Sequence, residues 1–176
     1  MPAMLSAASY THVEHTFEPV FDGNSRILIL GTLPSVKSRE AHFYYGHPQN
    51  RFWKLMAALT DFPVPETIEA KKQLLLANRI AVWDVIQSCD IIGSSDSSIK
   101  NVVPCDLSRI LRTAPIQAVY GNGGKACQLY RRYCEDSCGL EIIQLPSTSP
   151  ANAAFSMEKL REAWRPAIQS AKGKSR

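Results

Sequence analysis

Residues 27–53, ILILGTLPSVKSREAHFYYGHPQNRFW, decide the reading of this chain. Ile27 to Leu30 is an unbroken apolar run, short enough for a fully buried strand. Gly31-Thr32-Leu33-Pro34-Ser35 breaks it, because glycine and proline both favour a turn. A long polar and aromatic loop follows, holding Ser35, Ser38, His42, Tyr44, Tyr45, His47, Asn50 and Arg51. Phe52, Leu55, Met56 and Leu59 then recur at helical spacing, which predicts a helix over about residues 50–60. A buried strand that empties into a long loop is where open α/β sheets bind ligands. Loops of this length are functional or disordered, and the aromatics here argue against disorder.

Outward from this stretch the pattern repeats. Residues 79–85 (RIAVWDV), 116–121 (IQAVYG) and 140–145 predict three more strands. Between and after them, helices are predicted over 66–77, from Pro104 and Asp106 onward, after the turn Gly121-Asn122-Gly123-Gly124, and over about 156–171. Pro166 predicts a kink or a break in the last of these. Residues 1–24 read as an irregular segment, 25–171 as one domain and 172–176 as a basic tail. Strands alternating with helices predict an α/β class chain: a single three-layer α/β/α domain on a four-stranded parallel sheet. Three polar loops, 31–51, 86–103 and 146–152, then emerge at one edge of that sheet, which is the expected site.

Composition narrows the class further. The 176 residues carry a net charge of +4, compatible with a polyanionic partner without establishing one. No apolar run approaches the ~18 residues of a membrane span, and the N-terminus has no signal-peptide pattern, so an intracellular protein is expected. Five cysteines with no CxxC pair read as reduced structural thiols. His12, His15, His42 and His47 form no HxH or HExxH pattern, so no metal and no cofactor is expected. The glycine turn at 121–124 lacks both the GxGxxG frame and the Walker ending, and reads as a strand-to-helix turn. Asp84, an acid where a buried strand meets a loop, reads as a structural acid or a general base.

The run Tyr44-Tyr-Gly-His-Pro-Gln-Asn-Arg-Phe-Trp53, with Gly31-Thr-Leu-Pro-Ser35 before it, resembles the uracil-DNA glycosylase superfamily. Its pattern is most similar to the mismatch-specific uracil glycosylases and the hypoxanthine-DNA (deoxyinosine) glycosylases. A second motif of that superfamily, in a loop after the last strand, resembles Leu145-Pro-Ser-Thr-Ser-Pro150. The resemblance spans roughly residues 25–170 and implies a glycosylase fold. One departure matters chemically. Where the mismatch-specific enzymes have a water-positioning Asn in the first turn, this chain has Leu33, which cannot bind water. The deoxyinosine glycosylases share that loss, and the resemblance moves the catalytic role to Asn50.

The resemblance implies a monofunctional DNA glycosylase that flips out deaminated bases, hypoxanthine first and uracil or xanthine next, and hydrolyses the N-glycosidic bond with water. The partner is DNA containing such bases; a membrane is not expected, and a monomer is the default. Asn50 suits the task, since its carbonyl can orient a water and its amide can donate to a base oxygen; it is also a good helix cap. The resemblance further implies that Tyr45 stacks on the flipped base, an interaction worth ~1–3 kcal/mol. Backbone amides of Gly31 and Thr32 would hold a base oxygen or the water, with Pro34, Ser35 and His47 beside them. Ser147 and Ser149 would meet phosphates, and residues 150–152, Asn152 included, would press into the duplex. A lyase step needs an amine in the pocket, for which Lys37 and Lys100 are the nearest candidates. Two rival readings remain: a damage-binding protein that kept the fold and lost catalysis, and a small-molecule nucleoside hydrolase.

Overall fold

The computed structural model of the protein describes residues 9–173. Its first half runs β1 (Thr11–Glu14), β2 (Ile27–Gly31), α1 (Val36–Ala41), α2 (Phe52–Thr60), α3 (Ile68–Ala77), β3 (Ile80–Asp84) and β4 (Ile86–Ile91). The second half runs β5 (Lys100–Pro104), α4 (Ser108–Leu111), β6 (Ala118–Asn122), α5 (Gly124–Tyr133), α6 (Glu135–Cys138), β7 (Ile142–Leu145) and α7 (Met157–Ala171). Four strands form a parallel sheet in the order β3-β2-β6-β7. Every residue of β2 and β3 is buried, as strands covered on both faces require. Helices flank this sheet: α3 lies against β3, α5 against β6 and β7, and α2 packs on α7. The outer edge of β3 is covered by the N-terminal segment, where Val20 bridges Val82 through hydrogen bonds of 3.0 and 2.9 Å. The α/β class and the four-stranded parallel sheet are those expected.

Several local expectations are corrected. Residues 1–24 are not irregular throughout, since Thr11–Glu14 forms β1; residues 1–8 lie outside the described part. The 86–103 stretch is not a loop. It holds β4 and β5, joined through a single 3-10 turn at Asp96–Ser98, and with β1 they make a second, antiparallel sheet in the order β1-β4-β5. Its serines and charges hid it, because an antiparallel sheet carries polar residues on its open face. The 31–51 stretch contains a short helix, α1, capped by Ser35, whose Oγ accepts the Ser38 N–H at 3.2 Å. Pro104 ends a strand rather than opening a helix, and α4 is a single turn. Pro166 does not break α7, which runs unbroken from Met157 to Ala171.

The two sheets meet near the future site. β4 begins one residue after β3, and there the Val85 and Ile86 N–H groups donate to the Gly31 and Thr32 carbonyls at 2.9 and 3.1 Å. The chain is thereby held at the exit of β2 before it crosses into the second sheet. Gly31, Asp84 and Asn122 stand together at the carboxyl ends of their strands. All five cysteines are free thiols, and four of them are buried. Among the described residues, no helix is long and apolar enough to cross a membrane.

Candidate active site

The carboxyl ends of the parallel strands open into a cleft of about 650 Å³, the size of an ordinary small-ligand site. All three stretches picked out as loops contribute to its walls: residues 31–35 with Tyr45, His47 and Asn50; Ile91, Ser94 and Asp96; and residues 147–151. Among the described residues no group of three His, Cys, Asp or Glu side chains converges for a metal ion.

Asn50 is held by a chain of hydrogen bonds whose direction is fixed at both ends. The Thr148 N–H donates to Asn122 Oδ1 at 3.0 Å, so the Asn122 Nδ2 faces the Thr148 hydroxyl and donates to it at 3.1 Å. The hydroxyl therefore donates onward to Asn50 Oδ1, at 2.8 Å. The same Oδ1 accepts the Phe52 N–H at 2.9 Å, satisfying a free donor at the start of α2. A backbone N–H can only donate, so neither amide can be turned round. Both lone pairs of Asn50 Oδ1 are occupied, and Nδ2 is left as the atom without a partner among the described residues, on a side chain that lines the cleft. The capping role and a role toward a ligand are thus divided between the two ends of one side chain.

Tyr45 stands at the cleft with φ +54°, a left-handed backbone that bulky residues rarely adopt. Its ring stacks on Phe52, centroids 4.1 Å apart and planes 24° from parallel. Its hydroxyl is buried and has no hydrogen-bond partner among the described residues. Burial, and then the nearby Asp84 carboxylate, push the phenol well above its ordinary range. Phe43 and Tyr44 before it belong to the core, and the Trp53 indole N–H donates to the Tyr44 carbonyl at 3.0 Å. Gly31 is required here: a Cβ on it would sit 2.5 Å from Asp84 Oδ1 and 3.1 Å from the Tyr45 hydroxyl. Asp84 is 3% exposed, and its Oδ2 accepts from His15 Nε2 at 2.8 Å.

The remaining residues expected at the site divide into two groups. Gly31, Thr32, Pro34, Ser35, Tyr45, His47, Asn50, Ser147 and Ser149 all line the cleft; Asn152 does not. Several are engaged within their own loops. Ser147 Oγ accepts from the Ser149 N–H, Ser149 Oγ from the Ala151 N–H, and His47 Nδ1 from the Gln49 N–H, each at 3.1 Å. The Asn152 amide turns inward, donating to the Ser147 carbonyl at 3.0 Å, which leaves Pro150, Ala151, Ala153 and Ala154 as the exposed part of that loop. Lys37 and Lys100 line no part of the cleft; Lys37 faces Glu40 at 3.9 Å and Lys100 lies over the Tyr10 ring.

Four residues had no role of their own in the sequence reading: Thr148, Asn122, Arg51 and His15. Arg51 is a clamp. Its guanidinium donates to the Phe155 carbonyl and to those of Ser149 and Asn152 at 3.0 and 3.1 Å, and its N–H donates to the Thr148 carbonyl at 3.1 Å. It ties the start of α2 to the loop after β7. The signal for it was present, since an arginine next to a candidate site asparagine is rarely idle, but nothing local names its partners about a hundred residues on.

A chain with this sheet, these strand-end loops and this cleft belongs to the uracil DNA glycosylase superfamily, whose sequence model matches residues 18–168. Two relatives are similar over nearly their whole length. The Hypoxanthine DNA glycosylase of Methanosarcina acetivorans is 36% identical over 152 residues, covering 85% of this chain and 95% of the relative. That of Methanosarcina barkeri is 33% identical over 155 residues, covering 87% and 96%. Among solved structures, a solution NMR structure from Methanosarcina acetivorans, provisionally described as a uracil DNA glycosylase, superposes with a TM-score of 0.76. Its identity is 35%, and the match covers 89% of this chain and 96% of that one.

Proposed function

We propose that this protein is a DNA glycosylase that removes deaminated bases, hypoxanthine first, and so opens base excision repair. The observation that carries the reading is Asn50: its amide is locked by opposed backbone donors, with Nδ2 free at the cleft, in a chain whose relatives are named hypoxanthine DNA glycosylases.

A base inside a duplex is out of reach of such a cleft, so the nucleotide must be extruded. The exposed Pro150, Ala151, Ala153 and Ala154 are suited to fill the gap it leaves. Inside, the open face of Tyr45 stacks on the base, its other face being taken by Phe52. The C1′–N9 bond then breaks with its electron pair leaving on the base, and positive charge develops on the sugar. Asn50 Nδ2 donates to the oxygen of a water and holds it against C1′, where it bonds to carbon and loses a proton to solvent. Because the oxocarbenium-like sugar is strongly electrophilic, positioning counts for more than deprotonation. The Gly31 N–H belongs to the β2–β3 ladder, where Gly31 pairs with Asp84 and its carbonyl takes the Val85 N–H; with the Thr32 carbonyl taken by Ile86, the Thr32 amide is the polar group this turn offers to base or water. Pro34, Ser35 and His47 shape the adjoining wall. Ser147 and Ser149 lie where flanking phosphates pass, and the short turns they cap keep that loop in shape for them. The departing base takes up a proton from solvent, and the products are free base and an abasic site. Among the described residues no lysine lines the cleft, which fits an enzyme that stops at hydrolysis; the proposed enzyme acts as a monomer on DNA inside the cell.

The test is base release from a duplex oligonucleotide carrying one deoxyinosine, followed by hot alkali. Strand breaks at the inosine position that depend on alkali are the expected result. Breaks without alkali would contradict the monofunctional reading, and release only from free deoxyinosine would make the protein a nucleoside hydrolase.

A further inference from the structure

Arg39 stands in the last turn of α1 and lines the cleft beside the 31–35 turn. Among the described residues it is the only lysine or arginine in the cleft lining. The fold sets its place from both sides. Pro34, the buried proline of the turn after β2, accepts on its carbonyl an N–H from Arg39 Nη1 at 3.0 Å. Ser38, the buried residue before Arg39, ties α1 to the loop that carries Tyr45. Its Oγ accepts the Gly46 N–H at 2.9 Å, and its carbonyl accepts the Phe43 N–H at 3.2 Å. Arg39 and Tyr45 are therefore neighbours of the two ends of one buried hydrogen bond, and the cleft holds them in a fixed relation. A guanidinium carries a planar fork of N–H donors, of which the Pro34 carbonyl takes a single one. Among the described residues no carboxylate pairs with Arg39, and no second acceptor meets its guanidinium. The buried acid of the cleft, Asp84, is engaged by His15 instead. A half-buried fork of donors, seated on a carbonyl and left without an anion, is open to a ligand.

We propose that Arg39 reads the flipped base along its O6–N7 edge, donating to both atoms at once. The proposal rests on the glycosylase function put forward above. Hypoxanthine shows two acceptors on that edge, as guanine does, and a guanidinium pairs with such an edge bidentately. Adenine, from which hypoxanthine arises, keeps N7 but shows an amino donor in place of O6, so donor would face donor. Deamination turns that end of the edge from donor to acceptor, and Arg39 reads the change. Xanthine keeps both acceptors. Uracil has a carbonyl oxygen and no N7, so half of the contact is lost and hypoxanthine stands first. Guanine shares the edge, but three pairing hydrogen bonds hold it in the duplex, and its extrusion costs more. A base stacked on Tyr45 turns its edges toward the cleft walls, one of which is built by the 31–35 turn and α1. As the C1′–N9 bond breaks, negative charge gathers on the base. A cation fixed at its edge then stabilises the departing base more than the bound one. A backbone phosphate is the rival ligand; the seat of Arg39 on buried Pro34, rather than on an exposed loop, favours the base.

The test measures affinity for duplexes whose target sugar carries a 2′-fluorine, which opposes positive charge on the sugar and keeps the base in place. The target base is hypoxanthine, 7-deazahypoxanthine or adenine, each opposite thymine. Replacing N7 by C–H removes one acceptor and leaves the pairing edge, and so the cost of extrusion, as it was. Wild type is expected to bind the hypoxanthine duplex about tenfold or more tighter than its 7-deaza analogue. Arg39→Ala and Arg39→Lys are both expected to bring that ratio near one, since lysine keeps the charge and loses the fork. Both should also cut the preference for hypoxanthine over adenine by about ten- to a hundredfold, with the salt dependence of binding unchanged. Pairing costs are common to all three proteins and cancel from that change. A phosphate contact would instead weaken every duplex alike, lower the salt slope by about one in the alanine variant, and recover in the lysine variant. That pattern overturns the proposal, as does an unchanged ratio in folded variants. Equal binding of the 7-deaza and hypoxanthine duplexes by wild type overturns it without any variant having to fold. Base release from the unfluorinated deoxyinosine duplex is run beside these. A wild type that releases hypoxanthine but ignores N7 keeps the glycosylase function and loses the role of Arg39. One that releases none overturns the function, and the base-reading role with it.

Discussion

Asparagine at position 50 is a choice of an amide over an acid, and the surrounding donors explain it. Two hydrogen-bond donors converge on Oδ1, and the side chain needs a donor of its own at the other end, which a carboxylate lacks. Thr148 makes this work. It is fully buried, accepts from the Asn122 amide and donates its own hydroxyl to Asn50 Oδ1. Thr148→Val keeps the shape and removes the hydroxyl, leaving Asn122 Nδ2 without an acceptor. The expected cost is ~1–3 kcal/mol of stability, read from denaturant melts. Base release should fall by about ten- to a hundredfold, with DNA binding retained. Asn50 was legible because its motif is long and specific. Thr148 was not, because a threonine between two serines reads as an ordinary turn residue, and its partners lie far away in sequence.

At the level of elements, apolar runs were legible and polar strands were not. β2 and β3 are buried end to end and announce themselves as unbroken hydrophobic stretches. β1, β4 and β5 draw their stability from pairing with one another, and their exposed face lets serine, aspartate and lysine stand where a pattern search asks for valine. That is why His15, carried in by β1, was no more than a histidine without a motif. The pairing of β1 with β4 has its own electrostatic signature. His12 stands opposite Asp90 in register and lies 2.9 Å from it, with Glu14 at 3.0 Å on the other ring nitrogen. Hydrogen bonds to Asp90 and then Glu14 raise His12 above its ordinary 6.5. Hydrogen bonds from Asn101 and then His12 hold Asp90 below 3.8. The histidine's contribution is present below pH 6.5 and is lost as pH rises through the raised value. The aspartate's is present above 3.8 and is lost as pH falls through the lowered one. The β1–β4 edge is therefore expected to be firmest at mildly acidic pH. An NMR titration should find His12 above 6.5, and Asp90→Asn should bring it back down; an unchanged midpoint would show that the cross-strand pair is not made in solution.

Taken whole, the molecule builds one cleft from two sheets and two distant loops. The parallel sheet supplies Gly31, Asp84 and Asn122 at its strand ends, and the antiparallel sheet supplies Ile91 at the end of β4. Arg51 binds the loop after β7 to the start of α2, so that the exposed segment of that loop and the asparagine lining the cleft are held together. The left-handed Tyr45 and its unsatisfied hydroxyl fit the same picture, since strain and unmet polar groups persist where a ligand uses them. The central claim is that Asn50 acts on the reaction and does more than start a helix. Single-turnover release of hypoxanthine from a deoxyinosine duplex, measured for wild type and Asn50→Ala beside their affinities for the same duplex, tests it most directly. The account expects a loss of about two orders of magnitude or more in the variant, with affinity kept. An Asn50→Ala protein that still releases hypoxanthine within a few-fold of wild type would contradict it and leave Asn50 as a helix cap alone.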